Sequence, residues 1–465
     1  MATIINTKLG EHRGRKRVWL EGQKLVREGY QPGMRFDAEF DSNKRQVMLR
    51  TNTTNGKYTV SKRNRQGKTM PIIDLTAAEL ASMFSGIALL RVAIRRGQIA
   101  VTAHHIYQLV QDRVTELYTK LYEQRSLSVC SLFHGGGVLD KSIHHGLQDA
   151  GVKSSVDVVV ELESKYLDSS LENNPELFND DSIIIESPVQ MLNLSRGTPK
   201  ADIVVGGIPC TGASKSGRSK NKLEFAESHS AAGALFFSFL EFVKASNPAI
   251  VVIENVPEYQ NTASMEVIRS VLGSLEYEVY ERVLDGNEFG ALEKRKRLCA
   301  IAVTKGLHEG FDLNDVLPLR QKENCLGEIL EAIPHDSERW RSFDYLAEKE
   351  LRDKAAGKGF ARQLLTEEAE YCGTIGKDYA KCRSTEPFIV HPVQSNLSRL
   401  LTPSEHCRVK GIPESIIQGL SDTTAHQILG QSIIYPMFEA VARYLGKHLI
   451  NQVNLLALPD PARVA

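Results

Sequence analysis

Residues 127–147 read "LSVCSLFHGGGVLDKSIHHGL". An apolar, strand-like run ends in three glycines and passes directly into a helix. The same rhythm continues downstream: "SSVDVVVEL" precedes "ESKYLDSSLENN", "DSIIIES" precedes a short loop, and "PAIVVIENV" follows the helix "GALFFSFLEFVKAS". Apolar strands alternating with helices predict an α/β fold, a mostly parallel sheet covered on both faces. In such sheets ligands sit beyond the carboxyl ends of the strands, where glycines let the backbone approach them.

The rhythm stops near residue 307. Residues 308–372 are mixed and charged, and a shorter ordered stretch closes the chain with "RLLTPSEHCRVKGIPE" and "GQSIIYPMFEAVARYLGKHL". Upstream, "KRVWLEGQKLVREGYQPGMRFDAEFDSNKRQVMLRTN" alternates apolar and polar residues around turns, the pattern of short antiparallel strands. "TNTTNGKYTVSKRNRQGK" reads as a polar turn and loop, "LTAAELASMF" as a short helix opened by a Thr cap, and "LLRVAIRRGQIAVTA" as a hairpin. Ile106, Leu109, Val110, Val114, Leu117 and Leu121 fall at helical spacing and predict a connecting helix. No internal repeat is evident. In outline this region is similar to the small swapped-hairpin domains of bacterial DNA-binding regulators, and no residue is carried over from that likeness.

Composition bounds the function. The 465 residues carry 57 Lys and Arg against 57 Asp and Glu, but residues 1–70 hold 16 basic and 6 acidic side chains. A surplus of that kind is either a solvated surface or a surface for a polyanion such as nucleic acid. No apolar run approaches the roughly 20 residues that span a bilayer. The first residues lack the apolar core of a signal peptide, so an intracellular, cytoplasmic setting is expected. Seven scattered cysteines without a CxxC pair speak against a disulfide framework and against a cysteine-built metal site.

Four features carry chemistry. "ADIVVGGIPC" fixes Cys210 behind Pro209 at a strand's end, ahead of a polar stretch suited to closing over a substrate, and a thiolate is the strongest nucleophile among side chains. "VVVELE" places Glu161 at the tip of the second strand, where a carboxylate commonly accepts from ribose hydroxyls, which points to an adenosine-containing cofactor. "IVVIENVPE" delivers Glu254 and Asn255 to another strand tip, so Cys210 and Glu254 can face one ligand, with the carboxyl as general acid. "EKRKRLCAIAV" sets Arg295 and Arg297 two apart, on one side of an extended chain, able to clamp a carbonyl oxygen or phosphate.

Taken in order, "FHGGG", "GGIPCTGAS", "ENV", "EKRKR", "RLLTPSEHCRVKGIPE" and "GQSIIYP" resemble the motifs of the DNA (cytosine-5)-methyltransferase family. The resemblance spans about residues 127–448, two thirds of the chain. It implies a Rossmann-like methyltransferase domain, S-adenosyl-L-methionine as cofactor, and methyl transfer to C5 of a flipped-out cytosine in double-stranded DNA. By that resemblance Cys210 adds to C6, Glu254 acts at N3, and Arg297 holds O2 with Arg295 and Asn255 in support. Phe133, Gly135 and Gly137 surround the cofactor, Glu161 takes its ribose and Glu186 approaches its adenine. Pro209, Leu235 and Ser432 complete the pocket, and Thr374 supports the flipped strand.

The implied organisation is a basic β-rich module (1–104), a linker helix (105–126), the catalytic domain (127–307), a target-recognition region (308–395), returning C-terminal motifs (396–450) and a tail (451–465). A monomer of bacterial or phage type, nucleoid-associated, is expected, with a restriction endonuclease as a candidate companion and no metal. The chain departs from the family pattern at Ser131, His134, Glu186, Glu293 and Gln431, which leaves the cofactor pocket's detail open. RNA cytosine methylation and a catalytically inactive DNA-binding regulator on the same fold are the alternatives; a nicotinamide dehydrogenase shares only the α/β rhythm.

Overall fold

The computed structural model describes residues 2–52, 54–65, 67–195, 197–209, 233–357 and 361–457. The chain forms two compact units, Met1–Asp112 and Arg113–Ala465.

The first unit is two sheets enclosing one apolar core. Its strands are β1 (Thr3–Lys8), β2 (Gly10–His12), β3 (Arg15–Glu21), β4 (Arg35–Asp41), β5 (Gln46–Thr51), β6 (Tyr58–Thr59), β7 (Ser61–Arg65), β8 (Lys68–Thr76), β9 (Leu89–Arg95) and β10 (Gln98–Ala103). Short helices α1 (Gln23–Arg27) and α2 (Glu79–Met83) follow β3 and β8. One sheet has the order β1-β9-β10-β5-β4-β6 and the other β2-β3-β8-β7.

These orders correct the reading that the sequence holds no repeat. Exchanging β1–β5 for β6–β10 reverses both orders and leaves every pairing intact, so the unit is an internal duplication about a pseudo-two-fold axis. Its buried side chains match in kind: Val18 and Leu20 answer Ile73 and Leu75, Leu25 answers Leu80, and Val47 and Leu49 answer Ile99 and Val101. The axis passes between the paired residues Trp19 and Asp74 in one sheet and Met48 and Ala100 in the other.

Two local expectations also change. The stretch 51–68 holds β6 and β7 rather than a loop; β7 is an edge strand with exposed polar residues, and an edge needs no buried face. Thr76 ends β8 instead of capping a helix, and α2 begins after Ala78 with no side-chain cap. The hairpin expected at 89–103 is β9–β10, paired antiparallel. Helix α3 (His105–Tyr122) follows, and the division between units falls within it.

The second unit is built on a seven-stranded sheet of order β13-β12-β11-β14-β15-β17-β16. Its strands are β11 (Leu127–Leu132), β12 (Ser154–Glu161), β13 (Ile183–Glu186), β14 (Ile203–Gly207), β15 (Ile250–Asn255), β16 (Tyr277–Asp285) and β17 (Lys296–Thr304). The first five run parallel and β17 is antiparallel to both its neighbours. All six residues of β11 are buried, as a central strand covered on both faces requires. Alternate residues feed two cores: Val129, Val205 and Val252 point into one, Cys130, Val204 and Val251 into the other.

Helices α4 (Val138–Asp149), α5 (Ser164–Asn173), α6 (Leu235–Ser246) and α7 (Ala263–Ser274) connect these strands or flank them. A small sheet of order β18-β21-β20-β19 follows, from β18 (Arg341–Ser342), β19 (Gln363–Leu365), β20 (Pro387–Val390) and β21 (Leu397–Arg399), with α8 (Asp344–Ala355) between its first two strands. The chain then returns through α9 (Pro403–Val409), α10 (Asp422–Gln431) and α11 (Tyr435–Ala457). Thr402 and Glu405 form a reciprocal capping box that starts α9, and Arg399 pairs with Glu405. Among the described residues no helix is long and apolar enough to cross a membrane, and the six cysteines are free.

Helix α4 packs tightly on α11 through Gly146, where a methyl group would collide with the Glu439 carbonyl and with Ala442. Gly146→Val is therefore expected to cost roughly 2–3 kcal/mol, read as a lower urea midpoint for the second unit.

Candidate active site

Strand order reverses between β12 and β14 on either side of β11, and at such a point the carboxyl ends open a crevice. The crevice is a cavity of about 410 Å³, within the size range of small-molecule sites. Phe133, Gly135, Glu161, Pro209, Leu235, Glu254, Asn255, Arg297 and Ser432 all line it. Gly137, Glu186 and Arg295 are not among its lining residues. Cys210 and the polar stretch after it lie outside the described residues.

The glycine turn is shaped by contacts beneath it. Phe133, Gly135 and Gly137 have φ of 60°, 59° and 77°. A Cβ at Gly137 would run into Ser170 and Asn174, and one at Gly136 would stand 2.5 Å from Ile428. Gly137 thus serves packing. Gly135 faces the cavity, and its N–H donates to Glu161 Oε2 at 2.6 Å. The N–H groups of Leu162 and Glu163 donate to Glu161 Oε1, each at 2.9 Å. A carboxylate offers about four acceptor positions, so these three donors leave one for a ligand hydroxyl.

Ser131 stands where a carboxylate would be expected from the family pattern. Its hydroxyl donates to Asp140 Oδ2 at 2.9 Å, and His134 Nδ1 lies 2.9 Å from the same oxygen. His134 Nε2 reaches Ser170 Oγ at 2.7 Å. A buried carboxylate from the first turn of α4 thus partners both Ser131 and His134. Asp140 escaped the sequence reading, although its place in that turn was visible.

The reactive end is set by sheet register. Gly207 on β14 lies opposite Glu254 on β15, and a side chain at 207 would begin 3.4 Å from Glu254 Oε2. Glu254 Oε1 is 2.9 Å from Arg297 Nε. Burial pushes the Glu254 carboxyl above the usual range, opposed by the cations of Arg297, Arg295 and Lys410. Asn255 is buried; its Nδ2 donates to the Ile208 carbonyl at 3.0 Å and its Oδ1 accepts from Val256 N–H at 2.9 Å. It ties the backbone just before Pro209 to the end of β15.

Arg295 corrects the expectation of a paired arginine clamp. It is buried, donating to the Ile375 carbonyl at 3.1 Å and the Gly430 carbonyl at 3.2 Å, and it pairs with Glu293 at 3.3 Å. Glu293 Oε1 in turn accepts from Ile375 N–H, and its Oε2 lies 3.2 Å from Lys410 Nζ. Residue 295 precedes β17; its carbonyl accepts from Gly286 N–H at 3.0 Å, and the N–H of Lys294 before it donates to the Cys372 carbonyl at 2.8 Å. Burial brings Lys410 down to about 7 and Arg295 to about 10. The pair Glu293–Arg295 thus grips both sides of residue 375 and holds 374–377 against α10, where Gly430 admits the Gly376 carbonyl. Thr374 is exposed, with its hydroxyl donating to Lys294 O at 3.0 Å.

Lys377, delivered by this clip, lines the cavity and lies 5.1 Å from the Tyr166 ring centre. Nothing in the local pattern of residue types singled it out. Glu186 pairs with Glu161 in register, but Ser187, Pro188 and Val189 beyond it form the wall. Ser432 donates to the Leu429 carbonyl at 2.7 Å. Among the described residues no group of His, Cys, Asp and Glu is placed to hold a metal.

Strand order and crevice define the class, an α/β methyltransferase fold, and the comparisons resolve it further. The model of the C-5 cytosine-specific DNA methylase family matches residues 127–447. The chain is 30% identical over 250 residues to the Type II methyltransferase M1.ScrFI of Lactococcus lactis subsp. cremoris, covering 52% of this chain and 62% of that protein. It is 30% identical over 255 residues to M.NlaX of Neisseria lactamica, covering 53% and 76%. The S. pombe Dnmt2 methyltransferase shares the fold, with a TM-score of 0.54 and 16% identity over 70% of this chain and 99% of that one. The chain belongs to the C-5 cytosine-specific DNA methylase family, whose reaction is methyl transfer to cytosine in DNA. It spans somewhat less than two thirds of M1.ScrFI, and residues 1–126 lie outside the family match.

Two outcomes test this geometry. Carbon-13 NMR should find Glu254 titrating above ordinary glutamates, and Arg297→Met should move it higher still, because the cation that favours its charged form is gone. Arg295→Leu leaves two backbone carbonyls unmet and Glu293 short of a partner. It should cost about 3 kcal/mol in urea unfolding.

Proposed function

We propose that this protein methylates C5 of cytosine in double-stranded DNA with S-adenosyl-L-methionine as donor. The observation that carries the reading is the Glu254–Arg297 pair at 2.9 Å on the same cavity as Gly135 and Glu161, beside the proline that precedes Cys210. The residues present fit such a cofactor: a turn open at Gly135, one free acceptor position on Glu161, and apolar walls from Phe133, Leu235 and Ile433. When bound, the cofactor supplies an electrophilic methyl group on a sulfonium.

The chain's own residues supply the rest. Cytosine C5 is barely nucleophilic, so the ring must first be attacked at C6. The Cys210 thiolate forms an S–C6 bond while Glu254 gives its proton to N3, taking up the displaced electron pair. A buried carboxyl held above its usual pKa is suited to that donation near neutral pH. Arg297 orients Glu254 and offers its remaining donors to the base O2. Asn255 fixes the approach of residues 208–209. Once C5, now nucleophilic, has taken the methyl group, its proton passes to solvent, the N3 proton returns to Glu254 and the thiolate departs, which restores the aromatic ring. The target carbon is hidden in a stacked duplex, so the base must leave the stack. The relatives are named Type II methyltransferases, which makes a restriction endonuclease of the same specificity a partner to look for.

With labelled S-adenosyl-L-methionine, the purified chain should methylate duplex DNA and leave transfer RNA unlabelled. DNA bearing 5-fluorocytosine should trap a covalent adduct that Cys210→Ser abolishes, and Glu254→Gln should slow transfer by about 10²–10⁴-fold. Label on transfer RNA alone, or an adduct that survives Cys210→Ser, would sink the proposal.

A further inference from the structure

The first unit carries a charge pattern that follows its internal duplication. Of the 16 Lys and Arg in residues 1–70, eight lie on two hairpins, β2–β3 and β7–β8. These are Arg13, Arg15, Lys16 and Arg17 on one, and Lys62, Arg63, Arg65 and Lys68 on the other. The pseudo-two-fold exchanges β2 with β7 and β3 with β8, so it carries one basic hairpin onto the other. Both belong to the same four-stranded sheet, and their tips point to opposite ends of it, because β3 and β8 are antiparallel. The turns are built for tight reversal, with Arg13 at φ 51°, Gly14 at 74° and Gly67 at 75°.

Carboxylates meet some of these cations and leave others without a partner. Arg17 pairs with Asp74 beside the axis, and Arg63 with Glu21. Lys16 has Glu11 across the hairpin. Arg13, Arg15, Lys62 and Lys68 are exposed and have no carboxylate partner among the described residues. Arg13, Arg15 and Lys68 sit at the two turns and Lys62 three residues back from one of them; like charges gathered so without counter-charge repel one another, and a polyanion relieves that repulsion.

Spacing narrows the choice of polyanion. From Trp19 and Asp74 on the axis, the tips lie about six residues away on one side and about seven on the other. At about 3.3 Å per residue the tips stand roughly 40 Å apart, and strand twist shortens this. One turn of duplex DNA is about 34–36 Å, and a duplex has its own two-fold axes perpendicular to its length.

We propose that the β2–β3 and β7–β8 hairpins form a two-fold clamp that grips the phosphates of duplex DNA at two places about one helical turn apart. The clamp reads no sequence; it holds the duplex through charge. It stands apart from the catalytic reading, since it requires DNA binding and no methyl transfer.

The test uses the full chain, a duplex of about 30 base pairs and fluorescence anisotropy over a salt series. Each phosphate contact contributes about 0.9 to the slope of log affinity against log salt. Arg13→Gln/Arg15→Gln should therefore flatten the slope by about two. Lys62→Gln/Lys68→Gln should do the same, and the fourfold variant should flatten it by about four. Calorimetric binding of S-adenosylhomocysteine should stay unchanged in all three, which separates loss of the clamp from loss of the catalytic unit. Hydroxyl-radical footprints should show two protected patches a turn apart, each pair of substitutions erasing one. Unchanged slopes would overturn the clamp, a loss confined to one hairpin would overturn its two-fold character, and tighter binding to single-stranded DNA or to RNA would overturn the choice of duplex.

Discussion

A carboxyl group largely withdrawn from water and set 2.9 Å from a guanidinium is the constraint on which the site depends. Burial favours its protonated form, and the cations around it favour the charged one; burial has the larger effect. That balance exists because β14 and β15 run side by side with Gly207 opposite Glu254. A larger residue at 207 would press on the carboxyl, and a shift in register would carry Glu254 out of the crevice. The same pairing brings Asn255 beneath the Ile208 carbonyl, so the backbone leading to Cys210 and the acid are fixed by one pair of strands.

A second set of buried charges works on geometry. Glu293, Arg295 and Lys410 are almost wholly enclosed, and enclosing ions costs several kcal/mol each, which mutual attraction only partly offsets. The fall of Lys410 to about 7 reflects that cost. What the cluster supplies is position. It joins the segment before β17, residue 375 between β19 and β20, and the end of α10, three stretches far apart in sequence. Apolar packing at the same place would hold them together without fixing which carbonyl meets which donor. Lys377 reaches the cavity because residue 375 is held on both sides.

The sheet was legible because continuous apolar runs ending in glycine or a carboxylate have few other meanings. The tips bearing Glu161, Glu254 and Asn255 followed from it directly. Partners were not legible where they come from distant segments. Nothing near Arg295 in sequence announces Ile375 or Gly430, so two arginines two apart read as a clamp on one ligand when one of them is internal. The carboxylate that Ser131 meets is Asp140, nine residues on, and a motif read position by position does not show which side chain of the next helix packs beneath it. Assignment of Cys210 rests on the order of motifs, since that residue lies outside the described ones.

The duplication in the first unit was hidden for a related reason. Its halves keep the kind of buried residue and only in part its identity, and their loops differ in length, so no fixed period runs through the sequence. Val18 and Leu20 against Ile73 and Leu75 is a match of volume that only pairing across an axis makes visible. The two units therefore differ in symmetry. A crevice that took one extruded base, as proposed, would distinguish the strands of a duplex, because only one of them would supply that base. A module with a two-fold axis presents equivalent hairpins whichever strand is chosen. On the proposed clamp, charge held in that arrangement would add affinity without adding a preference between strands, and choice of base would stay with the crevice, which has none of the module's symmetry.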